Sequence, residues 1–271
     1  MRVENILFVC SERDPAGISI ASELIGYYGM NKVSPNIYIK DKITLIKIKG
    51  DIVYADRVDQ KLEIKPDVLI FLSRHSSAMK KKTLSVHVSG NPTSKAELGG
   101  KPFSLAPSHP IIMKSILSNL NYLALEYDLR EYSVTMEVTH HGPTDITTPS
   151  LFVEIGSTLS EWKDAKAAKV VAEAITISLE KPLRGLPAVG FGGPHYAPVF
   201  TRYVLNHEYA VGHIFSKYVI SDEINDKVIK EAFEKTFNAK IALVDWKGIK
   251  GSFRKQLINM ISKLDKNILR I

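Results

Sequence analysis

The 271-residue sequence predicts an α/β fold in which a mixed β-sheet lies between layers of helices. Three observations lead to this fold class. Short apolar runs rich in β-branched residues alternate with segments whose apolar residues recur at helical spacing. The run DVLIFLS is apolar between Asp67 and Ser73, as expected of a central strand covered on both faces. EYSVTMEVTH and SLFVEIG follow each other like the strands of a hairpin, which indicates antiparallel pairing as well.

The chain opens with a strand, a loop and a helix. NILFVC has the composition of a short buried strand, SERDPAG forms the connection, and ISIASELIGYYG is expected to be a helix that ends at Gly29. Neither GxGxxG nor GxxxxGK[ST] follows the strand, which argues against a dinucleotide site or a P-loop. NIYIK and TLIKIKG then read as alternating strands on either side of Lys40.

After the central strand, TLSVHVSGNP is expected to form a further strand. Residues 89–107 are rich in Gly, Pro, Ser and Asn and are expected to form a long surface connection. We expect one domain over residues 1–271, and any boundary between two subdomains is expected in that connection. Ser108 is expected to N-cap a helix from His109 to Tyr127.

The rest of the chain continues the alternation of strands and helices. Thr158 and Glu161 have capping-box spacing and are expected to begin a helix that ends near Leu179. PAVGFGG is expected to be a strand. Helices near residues 222–237 and 252–264 are expected to flank a strand formed by KIALVD.

Composition narrows the class of protein. The chain is 45% hydrophobic and 24% charged, which suits one large core and excludes a disordered tail. The net charge of +7 fits a polyanionic partner. Cys10 is the only cysteine and is expected to be a small buried hydrophobe, so no intrachain disulfide can form. The N-terminus lacks the pattern of a signal peptide, and no apolar stretch approaches the roughly 20 residues that span a bilayer. We therefore expect a cytoplasmic protein that neither associates with a membrane nor depends on a protein partner.

Two stretches, HHGP and GGPH, each join histidine to a Gly-Pro turn at the end of a predicted strand. Strand ends are where α/β proteins usually place their sites, so the two stretches are expected to face each other across one pocket. The pocket residues expected from these stretches are His140, His141, Gly142, Pro143, Gly193, Pro194 and His195. The imidazoles could act as acids, bases, oxyanion partners or metal ligands. The alternative without a catalytic role is that one histidine of the pair is buried and structural and the other is exposed.

Other polar residues are weaker candidates for the site. Glu154 interrupts the apolar strand LFVEI and could act as a general base toward water. In an antiparallel hairpin, however, it would lie roughly 13 Å from the strand end that carries the histidine pair. His75 and Ser76 follow the central strand and could bind substrate, for example a phosphate or ribose. His87 lies inside a strand and is expected to be structural.

Three familiar kinds of site are not supported by the sequence. HEYAVGH is a near miss to HExxH, because Val211 stands where the second histidine would be, four positions after His207. No GxSxG elbow of a serine hydrolase and no CxxC of a zinc finger is present.

Two basic clusters are candidates for contact with RNA phosphates. The residues are Lys80, Lys81 and Lys82 after the central strand, and Lys247, Lys250, Arg254 and Lys255 near the C-terminus. The second cluster lies beside Trp246 and Phe253, as in sites that combine phosphate contacts with base stacking. A solvated surface explains either cluster about as well.

Five stretches together resemble one known family: VCSERDPAGISI, FLSRHSS, SGNP, VTHHGPTDITTPSLFVEIGST and VGFGGPHYAPVFT. They closely resemble the D-aminoacyl-tRNA deacylases of the archaeal and plant type, and the likeness runs from the first strand to the last helix. The resemblance implies an esterase that removes a D-amino acid from the 3′ end of tRNA. It also implies a three-layer α/β/α fold of the phosphorylase/hydrolase kind and a requirement for zinc.

The resemblance leaves the division of roles open. His140, His141 and His195 are expected to be catalytic or to bind zinc, with Glu154 as a further catalytic candidate. Two alternatives are an RNA-binding protein without esterase activity and a relative of nucleoside phosphorylases or peptidyl-tRNA hydrolases.

Overall fold

The structure, a computed structural model, describes residues 3–63 and 65–271. The strands in this part of the chain are β1 (Ile6–Ser11), β2 (Asn31–Ser34), β3 (Ile37–Lys40), β4 (Ile43–Ile48), β5 (Val68–Ser76), β6 (Thr83–His87), β7 (Gly90–Asn91), β8 (Ser104–Leu105), β9 (Ser133–Met136), β10 (Ser150–Ser157), β11 (Leu186–Phe191), β12 (Tyr209–Phe215), β13 (Ile241–Val244) and β14 (Asn267–Arg270). The α-helices are α1 (Pro15–Tyr28), α2 (Pro110–Glu126), α3 (Leu159–Trp162), α4 (Ala165–Glu180), α5 (Pro198–Asn206), α6 (Lys217–Asp222), α7 (Asp226–Lys235) and α8 (Gly251–Ser262). Short 3-10 turns occur at Ile52–Tyr54 and Val58–Lys61. No helix of the described residues is both long and apolar enough to cross a membrane.

The larger sheet is mixed and has the order β2-β3-β4-β1-β5-β10-β6-β9. β5 is central, as its apolar sequence predicts, and it pairs in parallel with β1 and β10. The first six residues of β5 are buried, because other elements cover both faces of the strand. β2, β3 and β4 form an antiparallel edge. α4 packs against both α1 and α2 beside this sheet, and the three helices share its core.

The expected hairpin of β9 and β10 does not form. β9 instead pairs in parallel with β6, and β10 lies between β5 and β6. The connection from β6 to β9 contains α2, which makes it a parallel crossover, and such connections need a helix rather than a tight turn. The distance argument against Glu154 was therefore wrong, because it assumed a pairing that is absent.

The second sheet contains four parallel strands in the order β12-β11-β13-β14. Successive residues along a strand point to opposite faces, so each face of this sheet contributes to a different hydrophobic core. Ala188 and Leu243 belong to the core shared with the larger sheet, whereas Val189 and Val244 pack with α7 and α8. Helices on both sides of the sheets give the three-layer α/β/α arrangement.

Several helix boundaries differ from the sequence expectations. The N-cap of α2 is His109, whose ring nitrogen Nδ1 accepts a hydrogen bond from the backbone of Ile112; Ser108 instead contacts α7 and its end. The capping box of Thr158 is confirmed, but it begins only the single turn α3. Asp164 then caps α4 as a separate helix.

Residues 89–107 are less exposed than a surface connection would be. Both ends are buried, and β7 pairs with β8 to close the segment into a small hairpin. Gly and Pro in this segment therefore mark close backbone contacts as well as turns.

The chain that follows β9 lies between the two sheets. The backbone N–H of Glu137 donates to Val86 in the larger sheet, and that of Val138 donates to the carbonyl of His195, which follows β11. The N–H of Thr139 donates to Ile214 in β12. This segment therefore fixes the end of β9 to both sheets at once.

Candidate active site

A pocket lined by histidines and glutamates lies where β5, β6, β9 and β11 end. We call it the histidine pocket, and its core residues are His75, His87, Glu137, His140, His141, Glu154 and His195. A cavity of about 400 Å³ opens onto this cluster and continues to Ser11 and Asp14 at the end of β1 and to the last residues of β5. β6 is antiparallel to β10 and β5 is parallel to it, so the ends of β5 and β6 do not form one edge of the sheet, and Glu154 of β10 lies between their histidines.

Glu137 is the carboxylate at the centre of the cluster, and its side chain is fully buried. Its Oε2 atom lies 2.8 Å from Nε2 of His195 and 3.7 Å from Nε2 of His140. Its Oε1 atom lies 3.2 Å from Nδ1 of His75, in an ionic contact that is not aligned as a hydrogen bond. Burial raises the pKa of Glu137, but the contacts with His195 and His75 outweigh it and hold this pKa well below its usual value. Glu137 is therefore ionised at neutral pH.

His75 carries the positive charge that balances two buried carboxylates. Its Nδ1 atom is 3.2 Å from Glu137 and 3.5 Å from Oε2 of Glu154, and its Nε2 atom is 3.0 Å from the hydroxyl of Tyr196. Burial lowers the pKa of His75, but the two glutamates outweigh it and raise this pKa to about 11. His75 therefore holds the two glutamates together as an imidazolium.

His140 and His141 point into one space despite being adjacent in the chain. Their ring centroids are 4.3 Å apart, because the backbone turns at His141, which has a φ of 44°. Nδ1 of His140 lies 2.8 Å from the carbonyl oxygen of Val138, and Nδ1 of His141 lies 2.6 Å from that of Gly142. Since a carbonyl can only accept, both Nδ1 atoms carry the proton, and each Nε2 keeps its lone pair.

The electrostatics of the pair also favour neutral rings. Burial, followed by the charge of His87, lowers the pKa of His141 to about 4. Burial and the neighbouring histidines hold the pKa of His140 well below its usual value. Two neutral imidazoles with free Nε2 lone pairs are suited to binding a metal ion.

His87 completes this group from β6. Its ring stacks on Phe152 at 4.9 Å, and its centroid lies 4.3 Å from that of His140 and 4.9 Å from that of His141. The ring is fully buried, yet neither of its nitrogens has a hydrogen-bond partner within the described residues. Nε2 is 3.6 Å from Oε2 of Glu154. Burial lowers the pKa of His87, but the contact with Glu154 outweighs it and raises this pKa above its usual value. A buried imidazole nitrogen without a hydrogen bond is costly, and a bound ligand would offset that cost.

The donor atoms fit a cation. One nitrogen from each of His87, His140 and His141 lies within 4.8 Å of the others, as in a three-histidine metal site. Two further groups of similar span combine His75, Glu137 and His195, or His87, Glu137 and Glu154. The described residues thus contain three overlapping groups that could hold a metal ion, and His87 belongs to two of them.

One wall of the cavity is apolar and comes from loops beside the histidine pair. Tyr54 and Leu98 line it although they are 60% and 57% exposed, together with Ile52 and Val53. Gly142 joins this wall to the site, since its N–H donates to Leu98 and a Cβ atom there would collide with the backbone of Val53. Only glycine lets the loops approach this closely.

The structure brings most of the predicted pocket residues together. The ring centroid of His195 lies 4.7 Å from that of His140, so the histidines of the two stretches do share one pocket. The expectation that Gly193 and Pro194 line this pocket was wrong, because the backbone there faces a second cavity. His75, Ser76 and Glu154 also line the cavity. Gly142 and Pro143 are buried behind it, joined by a cis peptide bond.

The basic residues fall in different surroundings. Lys81 lies over the ring of Tyr196, Lys82 is paired with Glu131, and Lys80 is exposed. Gly193 and Pro194 line a second cavity with three of the four C-terminal cations: Lys247, Lys250 and Arg254. Lys255 is exposed on α8.

Sequence reasoning missed two members of the site. Glu137 was passed over, although a glutamate between Met136 and Val138 in a strand is the same signal that drew attention to Glu154. His87 was taken as structural because it lies within a strand; nothing in the local sequence shows that it faces other histidines. The structure makes His213 a buried structural residue, with Nε2 3.0 Å from the carbonyl oxygen of Ala106.

Comparisons with known proteins agree on one family. A family model described as D-aminoacyl-tRNA deacylase matches residues 62–269. A D-aminoacyl-tRNA deacylase of Methanosarcina mazei is 38% identical over 98% of this chain and 92% of its own length. The protein of that name from Archaeoglobus fulgidus is 40% identical over 92% of this chain and 90% of its own length. A crystal structure titled as a conserved protein of unknown function superposes with a TM-score of 0.91 at 36% identity, and covers 100% of this chain and 96% of that one.

Proposed function

The chain belongs to the D-aminoacyl-tRNA deacylase family, and from this premise we propose that the histidine pocket hydrolyses the ester bond of D-aminoacyl-tRNA. The products are the free D-amino acid and tRNA. The observation that carries the assignment of the site is the joining of a buried carboxylate, Glu137, to a half-exposed histidine, His195, beside a cluster of neutral imidazoles. No observation favours an RNA-binding protein without activity or a nucleoside phosphorylase.

Proton transfer is assigned to His195 and Glu137. Since Glu137 is ionised, the Nε2 atom of His195 that lies 2.8 Å from it carries the proton, and Nδ1 keeps a lone pair. This lone pair takes a proton from the attacking water while the water oxygen adds to the ester carbonyl. The imidazolium is stabilised by Glu137 and then gives the proton to the departing ribose oxygen. The side chain of His195 is 41% exposed, which lets it reach a substrate in the cavity.

His87, His140 and His141 are proposed to hold a zinc ion. Neutral imidazole nitrogens are preferred zinc ligands, and a carbonyl bonded to Nδ1 orients the ring of His140 and of His141. His140 and His141 are already neutral, whereas His87 would release its proton on binding the ion. A zinc ion there would supply Lewis acidity toward the ester carbonyl and the attacking water. The sequence predicted His195 as the third zinc ligand, whereas this set has His87 in its place.

His75 and Glu154 are assigned to positioning. The imidazolium of His75 lies between both glutamates, and Glu154 also faces His87. The charge of His75 keeps Glu137 ionised, whereas Glu154 holds the rings of His75 and His87 in place, so both residues act on other side chains of the pocket rather than on the ester.

The apolar wall is proposed to select the chirality of the amino acid. Tyr54 and Leu98 offer the D side chain an apolar surface beside His141, whereas the side chain of an L-amino acid would point at the opposite, polar wall. We assign Ser11 and Arg74, which also line the cavity, to that polar wall. An enantiomer with its side chain there would leave polar groups unpaired.

The decisive experiment compares matched D- and L-tyrosyl-tRNA with and without a chelator. Hydrolysis should be far faster for the D substrate, and removal of metal should abolish it until zinc is added back. Equal rates for both enantiomers would leave a general esterase. Full activity in a protein shown by elemental analysis to be free of metal would remove the zinc from the mechanism.

A further inference from the structure

We propose that a groove beside Pro194 binds the phosphodiester backbone of the single-stranded 3′ end of the tRNA, next to the histidine pocket. This inference rests on the proposed function and adds a binding site to it. The groove, called here the basic groove, is a cavity of about 490 Å³. Its lining residues used in the argument are Gly193, Pro194, Lys217, Tyr218, Lys247, Lys250 and Arg254.

The charge of the groove points to an anion. None of Lys217, Lys247, Lys250 and Arg254 has an acidic partner within 4.0 Å among the residues that the structure describes. Elsewhere on the surface, Lys82 and Lys263 are paired with acids. Cations gathered in a concave site raise the local concentration of a polyanion.

One carboxylate lies against the floor of the groove, beside Gly193 and Gly248, and four cations outnumber it. The side chain of Asp245 is buried below and accepts a hydrogen bond from the backbone of Gly248. Arg254 donates from Nε to the carbonyl of Ile249 and stacks over Trp246, which holds its guanidinium in place and leaves the other nitrogens for a ligand. A guanidinium held in this way is suited to a phosphate.

The position of the groove relates it to the reaction. Pro194 precedes His195 in the chain, so the backbone at one end of the groove is one Cα–Cα step, about 3.8 Å, from the Cα atom of the catalytic histidine. The N–H of Lys217 donates to the carbonyl of Gly193, which ties the base of α6 to this turn. A tRNA whose terminal ribose lies at His195 would pass its nearest phosphates along these lysines. This proximity favours the 3′ end over the double-stranded part of the tRNA.

An aromatic ring on the rim suits single-stranded RNA. Tyr218 lines the groove and is 58% exposed, beside the ammonium of Lys217 at 5.1 Å from its centroid. Bases of single strands stack on exposed aromatic rings, whereas paired bases are not available for stacking. Cations combined with an exposed ring therefore indicate RNA rather than a free phosphate ion.

The test combines a groove variant with a truncated substrate. The groove variant carries Lys217→Ala, Lys247→Ala and Lys250→Ala, and the control variant carries Lys32→Ala, Lys40→Ala and Lys169→Ala. All are exposed, and both variants lose the same charge, so folding should be retained in each. Binding is measured with uncharged tRNA and with tRNA that lacks its 3′-terminal nucleotides, over a range of salt concentrations.

The groove variant should bind intact tRNA with a log–log salt slope that is smaller by about 2, which is three contacts at roughly 0.7 each. It should bind truncated tRNA as tightly as the wild type does. Any loss of affinity in the control variant should be equal for intact and truncated tRNA. A groove variant that loses equal affinity for both RNAs, or none, would overturn the assignment to the 3′ end.

Catalysis gives a second, independent readout. The kcat/KM ratio of D-tyrosyl-tRNA to D-tyrosyl-adenosine, which has no phosphate, should fall at least about tenfold in the groove variant. An unchanged ratio would remove the groove from substrate binding. If the wild type hydrolysed neither substrate, the proposed function would fail, while the binding comparison would still decide whether the groove holds RNA.

Discussion

Replacing Glu137 by glutamine tests the assigned catalytic pair most directly. The change keeps the size and an oxygen acceptor for His195 but removes the charge that His195, His140 and His75 face. The bond lost is the charge-assisted contact of 2.8 Å, and hydrogen bonds to charged groups contribute about 1.5–3 kcal/mol. At about 1.4 kcal/mol for each factor of ten, the rate should fall by a factor between about 10 and about 10².

The assay is single-turnover release of labelled D-tyrosine from D-tyrosyl-tRNA with the enzyme in excess. Glu161→Gln serves as the matched control, because Glu161 is also a buried carboxylate but belongs to the capping box of α3. This control should lose some stability to urea and keep its rate. A Glu137→Gln rate constant within about threefold of the wild type would refute the pairing of Glu137 with His195 as the proton-transfer unit.

Three further outcomes are expected. His87→Ala and His140→Ala should each lower the zinc content, measured by elemental analysis, to well below one ion per chain. Wild-type zinc content in both variants would contradict the proposed ligand set. Tyr54→Ala combined with Leu98→Ala should reduce the ratio of D- to L-tyrosyl-tRNA hydrolysis by about tenfold or more, and an unchanged ratio would move selection to another wall. Burial lowers the pKa of His213 to about 3, below its unfolded value of about 6.5, so its contribution to stability is full above pH 6.5 and is lost as the pH falls toward 3. Between pH 6.5 and 5, wild-type unfolding free energy from urea titrations should therefore fall by about 1.5 kcal/mol more than that of His213→Gln, and equal falls would contradict the buried neutral ring.

The local sequence predicted single elements well and their partners poorly. The strand at Asp67–Ser73, the capping box at Thr158 and the helix end at Gly29 were correct, because each depends on neighbouring residues. The pairing of β9 was wrong, because order along the chain does not show which strands are separated by a crossover.

The same limit applies to the site. The histidine pair was predicted from a local motif, whereas Glu137 and His87 acquire their roles from contacts across the sheet. His87 lies opposite Phe152 in β10, a register that only the folded sheet defines. A glutamate in a strand is visible in sequence, but which histidine neutralises it is not.

The segment at Val138 and Thr139, which bonds to both sheets, has a further consequence: deacylation requires that the two sheets are docked correctly. Glu137 is bonded through its backbone to the larger sheet, and its catalytic partner His195 follows a strand of the smaller one. Each half of the chain thus contributes one member of the proton-transfer pair. Fragments divided between α4 and β11 would each lack a working dyad, and their recovery of deacylation on mixing would measure how well the two halves dock.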